Sequence, residues 1–88
     1  MEDSNNRIKM LRIRSWRRGM KEMDLLLGPY ADKALASLPQ DQVDAFEAML
    51  NENDQDLYAW FTGRIATPEK VAPALERVRA FHGVSLTA

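Results

Sequence analysis

The residues best suited to chemistry lie in one short stretch, Arg14 to Asp24, which reads RSWRRGMKEMD. Three arginines flank a tryptophan, a glycine follows, and two acidic residues come near the end of the basic run. A guanidinium group pairs with carboxylates and phosphates through parallel hydrogen bonds and stacks on aromatic rings. Three interpretations are open: a solvated helix face, a surface for nucleic acid, or a docking face for one protein partner.

The residue types in this stretch favour the protein-docking interpretation. Trp16 beside Arg17 and Arg18 matches the residues that dominate binding energy at protein interfaces. Gly19 would allow a partner to approach the backbone closely. Glu22 lies one helical turn after Arg18, where it can orient that guanidinium or receive a basic group. A nucleic-acid surface is disfavoured because the chain has a net charge of −1 and the acids would repel phosphates.

Catalytic and metal-binding groups are scarce in the rest of the chain. There is no cysteine, His82 is the single histidine, and the four glycines are isolated, so no phosphate-binding loop is present. The acidic segment 51–56, NENDQD, resembles a calcium loop. It lacks the required glycine, however, and Gly63 stands where a bidentate glutamate is needed counting from Glu52. We therefore predict neither a metal site nor an enzyme.

Charge is distributed unevenly along the chain. Residues 7–21 contain seven basic residues and no acidic one, whereas residues 22–88 contain eleven acidic and five basic residues. Such polarity says more about partners than about the fold.

The overall composition indicates one small globular domain. The 88 residues are 45% hydrophobic and 28% charged, and we expect segments 1–4 and 84–88 to be flexible. The missing cysteines suggest a reducing compartment, and the polar start MEDSNN is unlike a targeting peptide. No apolar run approaches the roughly 18 residues that span a bilayer. We expect a cytoplasmic monomer without membrane insertion.

Hydrophobic periodicity predicts helices throughout, and no strand pattern with period two occurs. The first helix covers about residues 5–15, and Arg18 with Gly19 forms the turn into the second. Pro29 lacks the amide that would bond to residue 25, so with Gly28 it is expected to kink or break the second helix.

Three further helices are predicted after residue 38. The third begins near Pro39, the fourth is capped by Asp54 and closed by Gly63, and Thr67-Pro68-Glu69 has the features of a start for the fifth. Pro73 favours a bent or delayed start of that last helix. The core is expected to come from the apolar faces of these helices: Ile8, Leu11, Met23, Leu26, Leu27, Tyr30, Ala34, Leu38, Val43, Phe46, Met49, Leu50, Leu57, Tyr58, Trp60, Phe61, Val71, Ala74, Leu75, Val78 and Phe81.

The order of these motifs resembles a known family. The segment Arg18-Gly19-Met20-Lys21-Glu22 is an RGxxE motif, followed by MDLLLGPYAD and then by AFEAMLNENDQDLYAWFTG. Together they resemble the succinate dehydrogenase flavinylation factors, also called FAD assembly factors. The resemblance covers residues 12–63, whereas the last helix and the tail match only in kind.

This resemblance implies an all-α, compact five-helix fold and a role without catalysis. Members bind the flavoprotein subunit of succinate dehydrogenase, and in some bacteria that of fumarate reductase, and promote covalent FAD attachment to a client histidine. FAD then belongs to the client, and no stable FAD site is expected on this chain. The client-binding residues implied are Arg18, Gly19, Met20 and Glu22, with Arg14, Trp16 and Arg17 as flanking contacts.

Two other functions are compatible with the sequence. A regulatory, antitoxin-like interaction module could use the same basic face, and a small nucleic-acid binder could use its charge. Identification of what co-purifies with the chain would separate these three functions.

Overall fold

The computed structural model describes residues 2–83, with side chains from Asn5 onward, and it is built from five α-helices. They are α1 (Glu2–Trp16), α2 (Lys21–Ala34), α3 (Gln40–Leu50), α4 (Asp54–Phe61) and α5 (Ala72–His82), with a 3-10 turn at Leu35–Ser37. No strand occurs in residues 2–83, and the predicted all-α five-helix fold is confirmed. The predicted flexibility of segments 1–4 and 84–88 stays a prediction, since Met1 and residues 84–88 lie outside the described residues.

Helix α2 is the centre of the fold because it packs against α1, α4 and α5, while α3 contacts α1 and α5. The predicted apolar faces meet around it, and Leu27, Leu57 and Leu75 are fully buried. All but one of the predicted core residues lie in the core or pack against it. The exception is Phe81, which is 38% exposed although its ring contacts Tyr30 edge-on.

The expected interruption of α2 at Gly28–Pro29 does not occur, because the helix runs without a break from Lys21 to Ala34. Pro29 removes the hydrogen bond to the carbonyl of Leu25, and that residue is 53% exposed, where water can take the place of the missing amide. Burial of Leu27 and Tyr30 on the opposite side holds both halves of the helix in place. Tertiary packing thus outweighs the local preference.

The start of α4 differs from the predicted one, whereas α5 has the delayed start that Pro73 favoured. Asn53, not Asp54, caps α4, and its Oδ1 accepts the Asp56 amide at 2.8 Å. Helix α5 begins at Ala72 after a turn in which the amides of Val71 and Ala72 both donate to the Pro68 carbonyl. A helix starting at Thr67 would place Pro73 in its interior. The later start places it in the first turn, where a missing amide costs nothing.

Candidate functional site

The loop between α1 and α2, residues 17–20, contains the centre of the predicted motif, and the Arg18 side chain is largely enclosed by the protein. Its side chain is 11% exposed. Nε donates to Asp54 Oδ1, Nη1 to the Leu50 carbonyl and Nη2 to the Glu52 carbonyl, each at 2.6 Å. Leu50 is the last residue of α3, where backbone acceptors have no partner within the helix, and Glu52 lies in the turn that leads to α4. The guanidinium therefore caps α3 and joins it to the start of α4.

Two carboxylates hold the backbone of the same loop. Asp54 Oδ2 accepts the Gly19 amide at 2.8 Å, and Asp24 Oδ1 accepts the Arg18 amide at 2.7 Å. Asp54 thus binds Arg18 through one oxygen and Gly19 through the other. The expectation that Glu22 orients the Arg18 guanidinium is wrong, since Asp54 does so.

Gly19 is exposed and does not adopt a positive φ. A Cβ built at this position would lie 3.4 Å from Asp54 Oδ2, which is an ordinary contact distance. The fold therefore has room for a small side chain here and does not itself require glycine.

Met20 and Glu22 line two shallow grooves that meet at Tyr58 of α4. Glu22, Leu25 and Tyr58 line one groove, and Met20, Tyr58 and Ile65 line the other. Leu25 and Ile65 are 53% and 56% exposed, so more than half of each apolar side chain is accessible to water. Among the described residues Glu22 has no ion pair or side-chain hydrogen bond, so its carboxylate is available at the edge of this apolar surface. We refer to Gly19, Met20, Glu22, Leu25, Tyr58 and Ile65 as the motif surface.

Trp16 lies elsewhere, against the side of α2. Its indole ring covers Gly28 so closely that a Cβ there would lie 2.4 Å from ring atoms, and its Nε1 donates to Asp32 Oδ2 at 3.0 Å. Trp16 and Arg17 line a separate groove together with Ile13. The structure therefore does not bring these two flanking residues into the grooves that contain Met20 and Glu22.

Most of the basic run is paired inside the molecule. The Arg7 guanidinium lies 2.6 Å from a Glu47 carboxylate oxygen and 2.7 Å from one of Asp44. Hydrogen bonding to Glu47, and to a smaller extent to Asp44, raises the pKa of Arg7. Arg12 pairs with Asp32, and Arg14 donates to Asn51 at 2.8 Å. These arginines of α1 thus bind side chains of α2 and of α3 and its C-cap, and fewer cations remain for an external partner than the sequence suggests.

Four residues of the site were not predicted as part of it: Leu25, Asp54, Ile65 and Tyr58, the last of which was predicted only as a core residue. The sequence predicts Asp54 as the cap of α4, because the pattern does not distinguish Asn53 from Asp54. Which of the two caps the helix depends on backbone geometry. The exposure of Leu25 could have been found from the sequence. It lies outside the face formed by Met23, Leu26, Leu27 and Tyr30.

The fold and the site together define a class of protein: a small five-helix domain with a loop fixed by internal hydrogen bonds beside two shallow grooves. The family model described as flavinator of succinate dehydrogenase matches residues 9–82. The chain belongs to this family, and the predicted resemblance is confirmed.

Curated relatives in bacteria and fungi support the assignment. The chain is 41% identical over 66 residues to the FAD assembly factor SdhE of Legionella pneumophila (strain Paris), covering 75% of this chain and 82% of that protein. It is 37% identical over 65 residues to the protein of the same name in Idiomarina loihiensis, covering 72% of each.

The fungal relatives are longer. Succinate dehydrogenase assembly factor 2, mitochondrial, of Aspergillus terreus is 38% identical over 73 residues, which are 83% of this chain and 24% of that protein. The chain thus spans about a quarter of the length of such fungal relatives. No solved structure matches it significantly. Within residues 2–83, no helix is long and apolar enough to cross a membrane.

Proposed function

We propose that this chain binds the flavoprotein subunit of succinate dehydrogenase and promotes the covalent attachment of FAD to it, without catalysing the reaction itself. The relatives are named as assembly factors, and the family as a flavinator of this dehydrogenase. Holding the client's reacting histidine close to the flavin would raise the rate by positioning alone. FAD stays with the client in this proposal.

The motif surface is the observation that carries the proposal. It combines an exposed glycine, a carboxylate that has no partner among the described residues, and two large apolar side chains that are exposed to water. Burial of exposed apolar surface gives roughly 25 cal/mol per Å², and an acidic residue at its edge selects a partner with a basic group. We infer that the client covers Met20, Leu25, Tyr58 and Ile65 and places a cation against Glu22.

The internal ion pairs of α1 weaken the case for nucleic acid. Phosphate binding depends on cations that are free to release counterions, and four of the arginines in the basic run instead bind groups of this chain. Among the described residues, no contact or surface favours the antitoxin-like interaction over binding to the flavoprotein subunit.

Co-expression of the chain with the flavoprotein subunit tests the proposal, and flavin fluorescence of the denatured subunit measures its covalent FAD. Gly19→Arg should abolish the gain in covalent FAD, because its long side chain obstructs the motif surface. Glu22→Gln should reduce the gain several-fold, about the effect of losing one charged contact.

Two matched variants serve as controls. Gly19→Ala adds one methyl group where space exists, so it should keep the wild-type melting temperature and lose less activity than Gly19→Arg. Glu69→Gln makes the same chemical change as Glu22→Gln at an exposed glutamate that lines neither groove. The proposal is wrong if the wild-type chain does not increase covalent FAD, or if Glu22→Gln and Glu69→Gln behave alike.

A further inference from the structure

The bonds of Arg18 and Asp54 suggest that they act on the partner only through the loop they hold. All three guanidinium nitrogens of Arg18 have acceptors within the chain, and both carboxylate oxygens of Asp54 have donors. Asp54 is itself only 19% exposed. Both side chains are thus engaged within the chain, whereas Glu22 has no ion pair or side-chain hydrogen bond among the described residues.

A partner contact that took over these donors of Arg18 would disrupt the link between α3 and α4. The guanidinium would have to leave the Asp54 carboxylate and two main-chain carbonyls, and the carbonyls of Leu50 and Glu52 would lose these donors. A buried polar group left without a partner carries a larger penalty than an ordinary hydrogen bond contributes. A new contact with the partner would have to exceed that penalty before it added any affinity.

We propose that Arg18 and Asp54 are positioning residues. Together they fix the Gly19 backbone against α4, and so set the distance between the motif residues of the loop and Tyr58. This inference rests on the proposed function, because it concerns the same surface. It replaces the expectation that Arg18 touches the client, and it adds Asp54, which lies outside the RGxxE motif, as the residue on which the motif's arginine depends.

A double-mutant cycle distinguishes positioning from contact. The purified flavoprotein subunit is titrated with the wild-type chain, Arg18→Met, Asp54→Asn and the double variant. If the two residues act as one unit, each single change should weaken binding by about tenfold or more, and the double variant should bind within about threefold of the weaker single. Losses that multiply, or wild-type binding by Asp54→Asn, would show that Arg18 contacts the client independently.

Hydrogen exchange of the free chain supplies a readout that does not involve the partner. Exchange at the Gly19 amide should accelerate about tenfold or more in Asp54→Asn and in Arg18→Met, while the core amides of Leu27 and Leu75 keep wild-type rates. Unchanged protection of Gly19 in Asp54→Asn would overturn the inference.

Two outcomes need separate treatment. If a variant loses core protection, Arg18→Lys and Asp54→Glu replace it, since they keep the charges but change the reach, and the same coupling is expected. If the wild-type chain does not bind the flavoprotein subunit, the proposed function fails, while the exchange rates still decide whether Asp54 and Arg18 hold the loop.

Discussion

At the scale of single residues, two glycines of this chain have opposite roles. Gly28 is buried beneath the indole ring of Trp16, whereas Gly19 is exposed with room for a Cβ. The sequence shows both simply as isolated glycines in or beside helices. Only the packing reveals that Trp16 leaves no room for a side chain at position 28. At position 19 the fold itself does not require glycine.

Substitution of each glycine by alanine should therefore give different results. Gly28→Ala places a methyl group 2.4 Å from ring atoms of Trp16, an overpacking that costs about 1–3 kcal/mol. The better helix propensity of alanine offsets about 0.5–1 kcal/mol of this cost, so we expect a net destabilisation of about 1–2 kcal/mol. Gly19→Ala should change stability by less than about 0.5 kcal/mol. Urea denaturation measures both, and equal losses would contradict this account. In a Trp16→Ala background the penalty at Gly28 should largely disappear.

Arg18 shows what the sequence could and could not predict at this scale. Its presence in an RGxxE motif predicted a client-binding role for the loop between α1 and α2, and this stays a prediction. The residues that bind its side chain, however, lie more than thirty positions away in the sequence, and two of them, Leu50 and Glu52, offer only a backbone carbonyl. Such partners have no local pattern, so the sequence left Arg18 as an exposed contact.

At the scale of helices, Pro29 and Pro73 show where local sequence preferences do not determine the helix boundaries. Periodicity predicted all five helices and nearly all of the core, because one apolar face per helix is a strong local signal. Boundaries depended on competition between signals. Thr67-Pro68 is a good helix start in isolation, but Pro73 is tolerated only if α5 begins later, at Ala72. The start of α4 depended on which side chain could cap it: Asp54 binds Arg18 and Gly19, and Asn53 is the cap.

Pro29 leads to a prediction about α2. Pro29→Ala restores an amide donor for the Leu25 carbonyl and removes the ring from the helix interior, which can cost about 3 kcal/mol. The loss of a rigid residue from the unfolded state offsets about 0.4–1 kcal/mol of that gain. We expect net stabilisation of about 1–2 kcal/mol, seen as a higher melting temperature. Destabilisation would mean that packing of the proline ring outweighs the restored bond.

At the scale of the whole molecule, Tyr30 joins three helices in the core. It is 4% exposed, and its ring lies 5.5 Å from those of Phe46 on α3 and Phe81 on α5, measured between centroids. Burial raises the pKa of its hydroxyl above 10.0, although the nearby charge of Arg77 lowers it in part. Ionisation of Tyr30 is therefore easier in the unfolded chain than in the folded one.

This difference makes stability depend on alkaline pH. Below pH 10 Tyr30 is neutral in both states and has no effect. Above pH 10 the unfolded chain releases the proton first, so stability should fall by up to about 1.4 kcal/mol per pH unit until the folded pKa is reached. Chemical denaturation of the wild type and Tyr30→Phe between pH 8 and 11 measures the effect. The two should differ increasingly above pH 10, and parallel curves would exclude this role.

The placement of the two tryptophans gives the protein a pair of optical probes. Trp60 is 8% exposed within α4, whereas Trp16 is 40% exposed, with its indole amine on the carboxylate of Asp32. Their fluorescence must therefore differ in emission maximum and in access to collisional quenchers. A chain with Trp60→Phe would emit only from Trp16, two residues before Arg18. The emission maximum of this variant would then report the separation of α1 from α2 independently of the unfolding of the core.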